Sequence, residues 1–146
     1  MTNPTPDRSS DTTVPHLTVV VPAFNEEENV VPLAEEIVGA LDQLPGGFEL
    51  ILVDDASTDA TPRLIQQIRD TRVRGVFHRI NCGQSAAVGS GFQAARGEWV
   101  ATLDGDGQND PADLPAMLAQ AIRENVDCVT GVRKKRQDTF IRRFSS

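Results

Sequence analysis

Three features of the sequence predict a doubly wound α/β fold, a mostly parallel sheet with helices on both faces. Short runs of Val, Leu and Ile alternate with helical patterns along the chain. Those runs are continuously apolar rather than alternating, as strands buried on both sides require. The intervening segments carry helix start signals and apolar positions at helical spacing.

The elements follow in order. Residues 1–13, MTNPTPDRSSDTT, hold Pro, Thr, Ser and Asp without periodic apolar positions and read as a disordered leader; the folded domain spans 14–132. LTVVV at 17–21 is the first strand, followed by a helix over 29–44 and a second strand, FELILV, at 48–53. Thr61 before Pro62 marks the start of a helix, since a hydroxyl can cap and proline suits a first turn. VRGVFH at 73–78 is a third strand, 83–95 a helix rich in small residues, and WVATL at 99–103 a fourth strand. Asp110 caps a helix beginning at Pro111 and running to 125, with Leu114, Met117, Leu118, Ala121 and Ile122 on one face. DCVTGV then supplies a fifth strand.

Composition removes several function classes. The 146 residues are 39% hydrophobic and 24% charged, enough apolar mass for one core without disulfide or structural metal. No stretch reaches the ~18 apolar residues of a membrane span, and the N-terminus lacks the basic start and apolar run of a signal peptide, so the chain is expected in the cytoplasm. Cys82 and Cys128 have no Cys or His partner at zinc-site spacing and read as reduced, buried fillers. The net charge of −7 divides unevenly: residues 1–132 carry −12 and residues 133–146 carry +5. An acidic body without interleaved aromatics argues against nucleic acid, whereas the cationic end suits a phosphate or an anionic membrane surface.

In a doubly wound sheet, ligands bind at the carboxyl ends of strands. Here those ends carry Pro22-Ala23-Phe24-Asn25-Glu26, Asp54-Asp55-Ala56-Ser57-Thr58-Asp59 and Asp104-Gly105-Asp106-Gly107-Gln108. Carboxylates gathered on one edge repel one another, which predicts a bound cation, most simply a divalent metal held by Asp104 and Asp106; the Asp104-Gly105-Asp106 triplet taken by itself also fits an ordinary surface turn. An EF-hand is excluded, because counting from Asp104 puts Asn109 where glycine is needed and Pro115 where a bidentate glutamate is needed. Gly89-Ser90-Gly91 falls within a helix rather than after the first strand, so it marks close helix packing and not a dinucleotide fingerprint.

The three motifs, in this order and spacing, resemble the P-x-[FY]-N-E, D-D-x-S-x-D and D-x-D motifs of family 2 glycosyltransferases, which have the GT-A fold. Gln108, Gly131-Val132-Arg133, and Arg142-Arg143 with Ser145-Ser146 look most like dolichol-phosphate mannose synthases and bacterial polyprenyl-phosphate sugar transferases. The resemblance implies a metal-dependent, inverting transfer of a sugar from a UDP- or GDP-linked donor to a polyprenyl phosphate. By the same resemblance Pro22, Phe24, Glu26 and Asp55 border the nucleotide, with Asp54 supporting Asp55. Asp104 and Asp106 hold Mg²⁺ or Mn²⁺ against the diphosphate, Gln108 assists there, and Arg133 meets a donor or lipid phosphate. Phe24 and Asp59 also admit plain packing and capping roles. Family members continue into an acceptor-binding half, so residues 133–146 are expected to begin a truncated acceptor segment at the inner membrane face. Two alternatives stand beside this: a nucleotide-sugar-binding module without turnover, and a transferase acting on a hydroxyl.

Overall fold

The computed structural model describes residues 14–131 and the backbone of 140–143. The leader 1–13, Arg133 and the other residues of 132–139 and 144–146 lie outside the described residues. The strands are β1 (Leu17–Ala23), β2 (Phe48–Asp54), β3 (Val73–Phe77), β4 (Trp99–Thr102), β5 (Cys128–Thr130) and β6 (Phe140–Arg143). The helices are α1 (Val30–Leu41), α2 (Thr61–Gln67), α3 (Gln84–Ala94) and α4 (Leu114–Glu124), the last preceded by a 3₁₀ turn at Pro111–Asp113.

The sheet order is β3-β2-β1-β4-β6-β5. β1 pairs in parallel with β2 and β4, and β2 pairs in parallel with β3. The sequence reading stops at five strands; a sixth, β6, inserts between β4 and β5 and runs antiparallel to both. Its sequence, FIRR, has no apolar run and sits in the basic segment, which hides it from a periodicity argument.

Every residue of β1 and β2 is buried, and alternate side chains serve two cores. Val19, Val21, Leu50 and Leu52 pack with Leu33 and Ile37 of α1, Ile65 of α2, and Leu114 and Leu118 of α4. On the opposite face Val20, Ile51, Val53 and Val100 pack with Ala87 of α3. Each such aliphatic side chain contributes roughly 1.5–3 kcal/mol relative to exposure, which is why these strands read as unbroken apolar runs. Gly91 brings α3 against β1: a Cβ there would collide with Val20 Cγ1. That is the close packing expected of the Gly89-Ser90-Gly91 segment, although Gly89 itself meets nothing.

Local details depart from expectation in four places. Helix α1 ends at Leu41, and Gly46 and Gly47, at positive φ (83° and 74°), turn the chain into β2. Thr61 is the first helical residue rather than the cap; Asp59 accepts its N–H at 2.9 Å. Asp110 does cap, accepting from Ala112 N–H at 2.9 Å, but Ile122 is 51% exposed. The buried stripe of α4 is Leu114, Leu118 and Ala121, and Ile122 falls one residue past it. Both cysteines are exposed rather than buried: Cys82 lies in a loop, and Cys128 on a short strand at the sheet edge.

Glu49 is a charged side chain buried inside β2. Its Oε1 accepts from Thr18 Oγ1 (2.8 Å) and Arg96 N–H (2.6 Å), and its Oε2 from Arg74 (2.9 Å) and Arg96 (3.1 Å). Burial works against the charge, yet the Arg96 amide, Thr18 and Arg74 outweigh it and hold the carboxyl below its ordinary value of 4.5. A group with a depressed folded value stabilises above its unfolded value and loses that contribution as pH falls through the folded one. Glu49→Gln is therefore expected to cost about 2 kcal/mol near neutrality, less than a fully buried pair because both arginines are partly exposed. Thermal melts should show the wild-type advantage shrinking as pH falls below about 4.5. A variant equally stable at neutral pH would overturn this.

Candidate functional site

The carboxyl ends of β1, β2 and β4 meet where strand order reverses, between β1 and β4. A cleft of about 520 Å³ opens there, within the range of small-ligand sites.

Polar residues of the first two motifs lace their loops together. Asn25, at φ 52°, accepts from Thr58 N–H at 2.8 Å, and its own N–H donates to Ser57 Oγ at 2.9 Å. Glu26 N–H donates to Thr61 Oγ1 and Ala60 N–H to Glu27 Oε2, each at 2.9 Å. Asp54 Oδ2 accepts from Ser57 N–H at 3.2 Å. These bonds place Asn25 and Ser57 in loop architecture, joined by Asp59, whose Oδ2 accepts from Glu27 N–H at 3.3 Å. Phe24 stays free of that lacing, 46% exposed on the cleft wall beside Pro22 and Glu26.

Asp55 forms part of the cleft lining and is almost wholly buried. Its Oδ1 accepts from Cys82 N–H and faces His78 Nδ1, and its Oδ2 accepts from Gly83 N–H, all at 2.8 Å. Burial opposes its ionisation, but the Cys82 amide, the His78 ring and the Gly83 amide outweigh it and hold the carboxyl below the usual aspartate value. His78 in turn meets Ser90 Oγ through Nε2 at 2.7 Å, tying β3 to α3. Asp54 is buried behind the cleft without lining it, and its Oδ1 has no partner among the described residues.

The third motif closes the other side. Gly105 passes so close to β1 that a Cβ would sit 2.5 Å from the Pro22 carbonyl, so only glycine fits without displacing the loop. Asp104, half-buried, accepts from Gln84 Nε2 at 3.0 Å, and the exposed Asp106 accepts from Gln108 N–H at 3.0 Å. Both aspartates line the cleft; Gln108 contributes its amide to Asp106 from outside the lining.

The structure thus brings Pro22, Phe24, Glu26, Asp55, Asp104 and Asp106 to one cleft, with Asp54 buried behind it and the exposed Gln108 outside the lining. Arg133 falls outside the described residues. Four carboxylates face the cleft, and no Lys or Arg lines it among the described residues. Such a set of hard oxygen donors fits a divalent cation. Sequence reasoning passed over His78, Asn81, Gly83 and Gln84. The available signal was the end of the third strand, where His78 stands in the same edge position as the acidic motifs.

Comparison with known proteins follows the same lines. Residues 18–145 match the model of glycosyl transferase family 2. The chain is 45% identical over 136 residues to a dodecaprenyl-phosphate galacturonate synthase of Rhizobium johnstonii, covering 89% of this chain and 40% of that protein. It is 36% identical over 140 residues to an undecaprenyl-phosphate 4-deoxy-4-formamido-L-arabinose transferase of Aeromonas hydrophila subsp. hydrophila, covering 94% of this chain and 43% of that one. The chain therefore spans less than half the length of these curated relatives. Among solved structures, the mannosyltransferase PcManGT of Pyrobaculum calidifontis, in complex with GDP-Man and Mn²⁺, superposes with a TM-score of 0.70 at 26% identity, over 84% of this chain and 37% of that one. A family match across most of the chain, joined to a mostly parallel sheet whose three motif loops share one cleft, places this protein in glycosyl transferase family 2, with the GT-A fold.

Proposed function

We propose that this chain provides the nucleotide-sugar half of a glycosyltransferase that moves a sugar from a UDP- or GDP-linked donor to a polyprenyl phosphate, with inversion. The observation that carries the reading is the cleft itself, four carboxylates beside an exposed Phe24 with no lining Lys or Arg among the described residues. That is an unneutralised acidic site next to an aromatic face, suited to a base, a diphosphate and the cation between protein and phosphate. The names of the two curated relatives, both polyprenyl-phosphate transferases, favour a lipid phosphate over a hydroxyl as acceptor.

Each residue then has a task. Phe24 offers its ring to the base, with Pro22 and Glu26 around the ribose, and Asp55 presents its remaining lone pairs from the floor. Asp54 steadies the Ser57 turn behind it. Asp104 and Asp106 hold Mg²⁺ or Mn²⁺, and Gln108 fixes Asp106 through its amide. The metal supplies positive charge against the departing nucleoside diphosphate. Arg133 pairs with donor or lipid phosphate through its planar donors. An acceptor phosphate is already ionised at neutral pH, so its oxygen attacks the anomeric carbon without a general base while the bond to the diphosphate breaks on the opposite face. A hydroxyl acceptor would need that base.

In the same reading, residues 14–132 are the donor-binding domain and 133–146 begin the acceptor segment, whose basic cluster Arg133, Lys134, Lys135 and Arg136 meets an anionic membrane surface at the cytoplasmic side. Among the described residues, no helix is long and apolar enough to cross a membrane.

Thermal-shift screening of UDP- and GDP-sugars, with and without Mg²⁺ or Mn²⁺, tests donor and metal together; a donor at ~100 times its dissociation constant adds about 2.7 kcal/mol. Stabilisation is expected only with metal, and a full set of donors without effect would overturn the assignment. Asp104→Asn and Asp106→Asn should each weaken metal-dependent donor binding at least tenfold by calorimetry, with the melting temperature of the free protein retained. Phe24→Ala should lose about 1–3 kcal/mol of nucleotide affinity through lost stacking, with little change in stability because the ring is half exposed. Co-sedimentation should show salt-sensitive binding to anionic but not neutral vesicles, abolished when Arg133, Lys134, Lys135 and Arg136 are replaced by glutamine. Equal binding to both vesicle types would exclude the membrane contact.

A further inference from the structure

Beside the acidic pair, a second group of possible ligands meets where β2, β3 and the loop into α3 come together. One donor atom each from Asp55, His78 and Cys82 lies within 4.8 Å of the others. Two of them already touch, His78 Nδ1 and Asp55 Oδ1 at 2.8 Å. The chemistry of this group differs from that of Asp104 and Asp106. A thiolate and an imidazole select a borderline cation such as Zn²⁺, whereas Mg²⁺ and Ca²⁺ take oxygen donors.

We infer that Asp55, His78 and Cys82 form a zinc-class metal site at the Asp55 end of the cleft, with three protein ligands and a fourth position open to water. The surroundings are already arranged for this. Cys82 and Gly83 N–H groups orient the Asp55 carboxylate from behind, and Ser90 Oγ holds the far nitrogen of His78 at 2.7 Å, the outer-shell partner that a ligating histidine requires. Cys82 is exposed, so its sulfur is reachable from solution. Its S–H donates weakly to the Ile80 carbonyl at 3.4 Å, a contact given up on metal binding.

The protons balance simply. The thiol of Cys82 releases one proton to solvent as its sulfur binds. As a ligand His78 gives the Nδ1 lone pair to the metal and carries its one ring proton on Nε2, which donates to Ser90 Oγ. Asp55 exchanges the His78 bond for the metal while keeping its two amide donors. This site shares Asp55 with the proposed nucleotide contact but rests on its own geometry, and its test involves no nucleotide.

Co²⁺ serves as the spectroscopic probe on the full chain, kept reduced. Wild-type protein is expected to develop the near-ultraviolet thiolate-to-cobalt absorption and the visible bands of four-coordinate Co²⁺, both removed by stoichiometric Zn²⁺ and unaffected by excess Mg²⁺. Cys82→Ser should abolish the thiolate band, and since Cys82 is exposed the variant should fold, as circular dichroism will report. His78→Ala should weaken Co²⁺ affinity at least tenfold, while Cys128→Ser, at the other exposed cysteine, should bind as wild type. A thiolate band that persists in Cys82→Ser, or no band in folded wild-type protein under excess Co²⁺, would overturn the site.

Discussion

The parallel registry of β1 with β2 and β4 is the constraint from which the rest follows. Parallel strands joined by crossing helices deliver all their carboxyl ends to one edge, and burial of β1 and β2 on both faces commits their apolar side chains to packing. Chemistry must then sit in the loops. The loops after β1, β2 and β4 are adjacent because their strands are adjacent, which is how motifs far apart in sequence come to share one cleft.

Crowding carboxylates at that edge is electrostatically unfavourable, and the structure handles individual members differently. Asp55 is buried and kept charged by two backbone amides and His78. Asp59 is occupied by Thr61 and by the amide of Glu27. Asp104 and Asp106 each have one oxygen engaged, by Gln84 and by the Gln108 amide. The carboxylates nearest the mouth are thus the least compensated by protein donors, which is the arrangement a cation from solution would complete. At the opposite, amino-terminal half of the strands, Glu49 is fully compensated by Thr18, Arg74 and Arg96 and serves stability instead. Two acidic groups of the same strand, Glu49 and Asp55 just past its end, thus have opposite uses, set by which end of the sheet they occupy.

Glycine placement follows from the same geometry. Gly91 lets α3 approach Val20, and Gly105 lets the third motif pass the Pro22 carbonyl. Both close the distance between β1 and its neighbours, one on the face of the sheet and the other at its carboxyl edge.

What the sequence by itself determined is the class of fold, the succession of the first five strands along the chain and the motif loops, because continuous apolar runs and helix start signals are local properties of the chain. Asp110 and Pro111 start their turn as their chemistry dictates, and Leu114, Leu118 and Ala121 are buried at helical spacing. Only the tertiary structure decided matters of neighbourhood. β6 has no apolar run of its own and is defined by hydrogen bonds to β4 and β5. Ile122 continues the apolar pattern of α4 but is left half exposed, outside the buried stripe. Cys82 and Cys128 look like core residues by type, yet one falls in a loop and the other on an edge strand. The meeting of Asp55, His78 and Cys82 depends on the register of β2 with β3, a long-range pairing that no local pattern encodes.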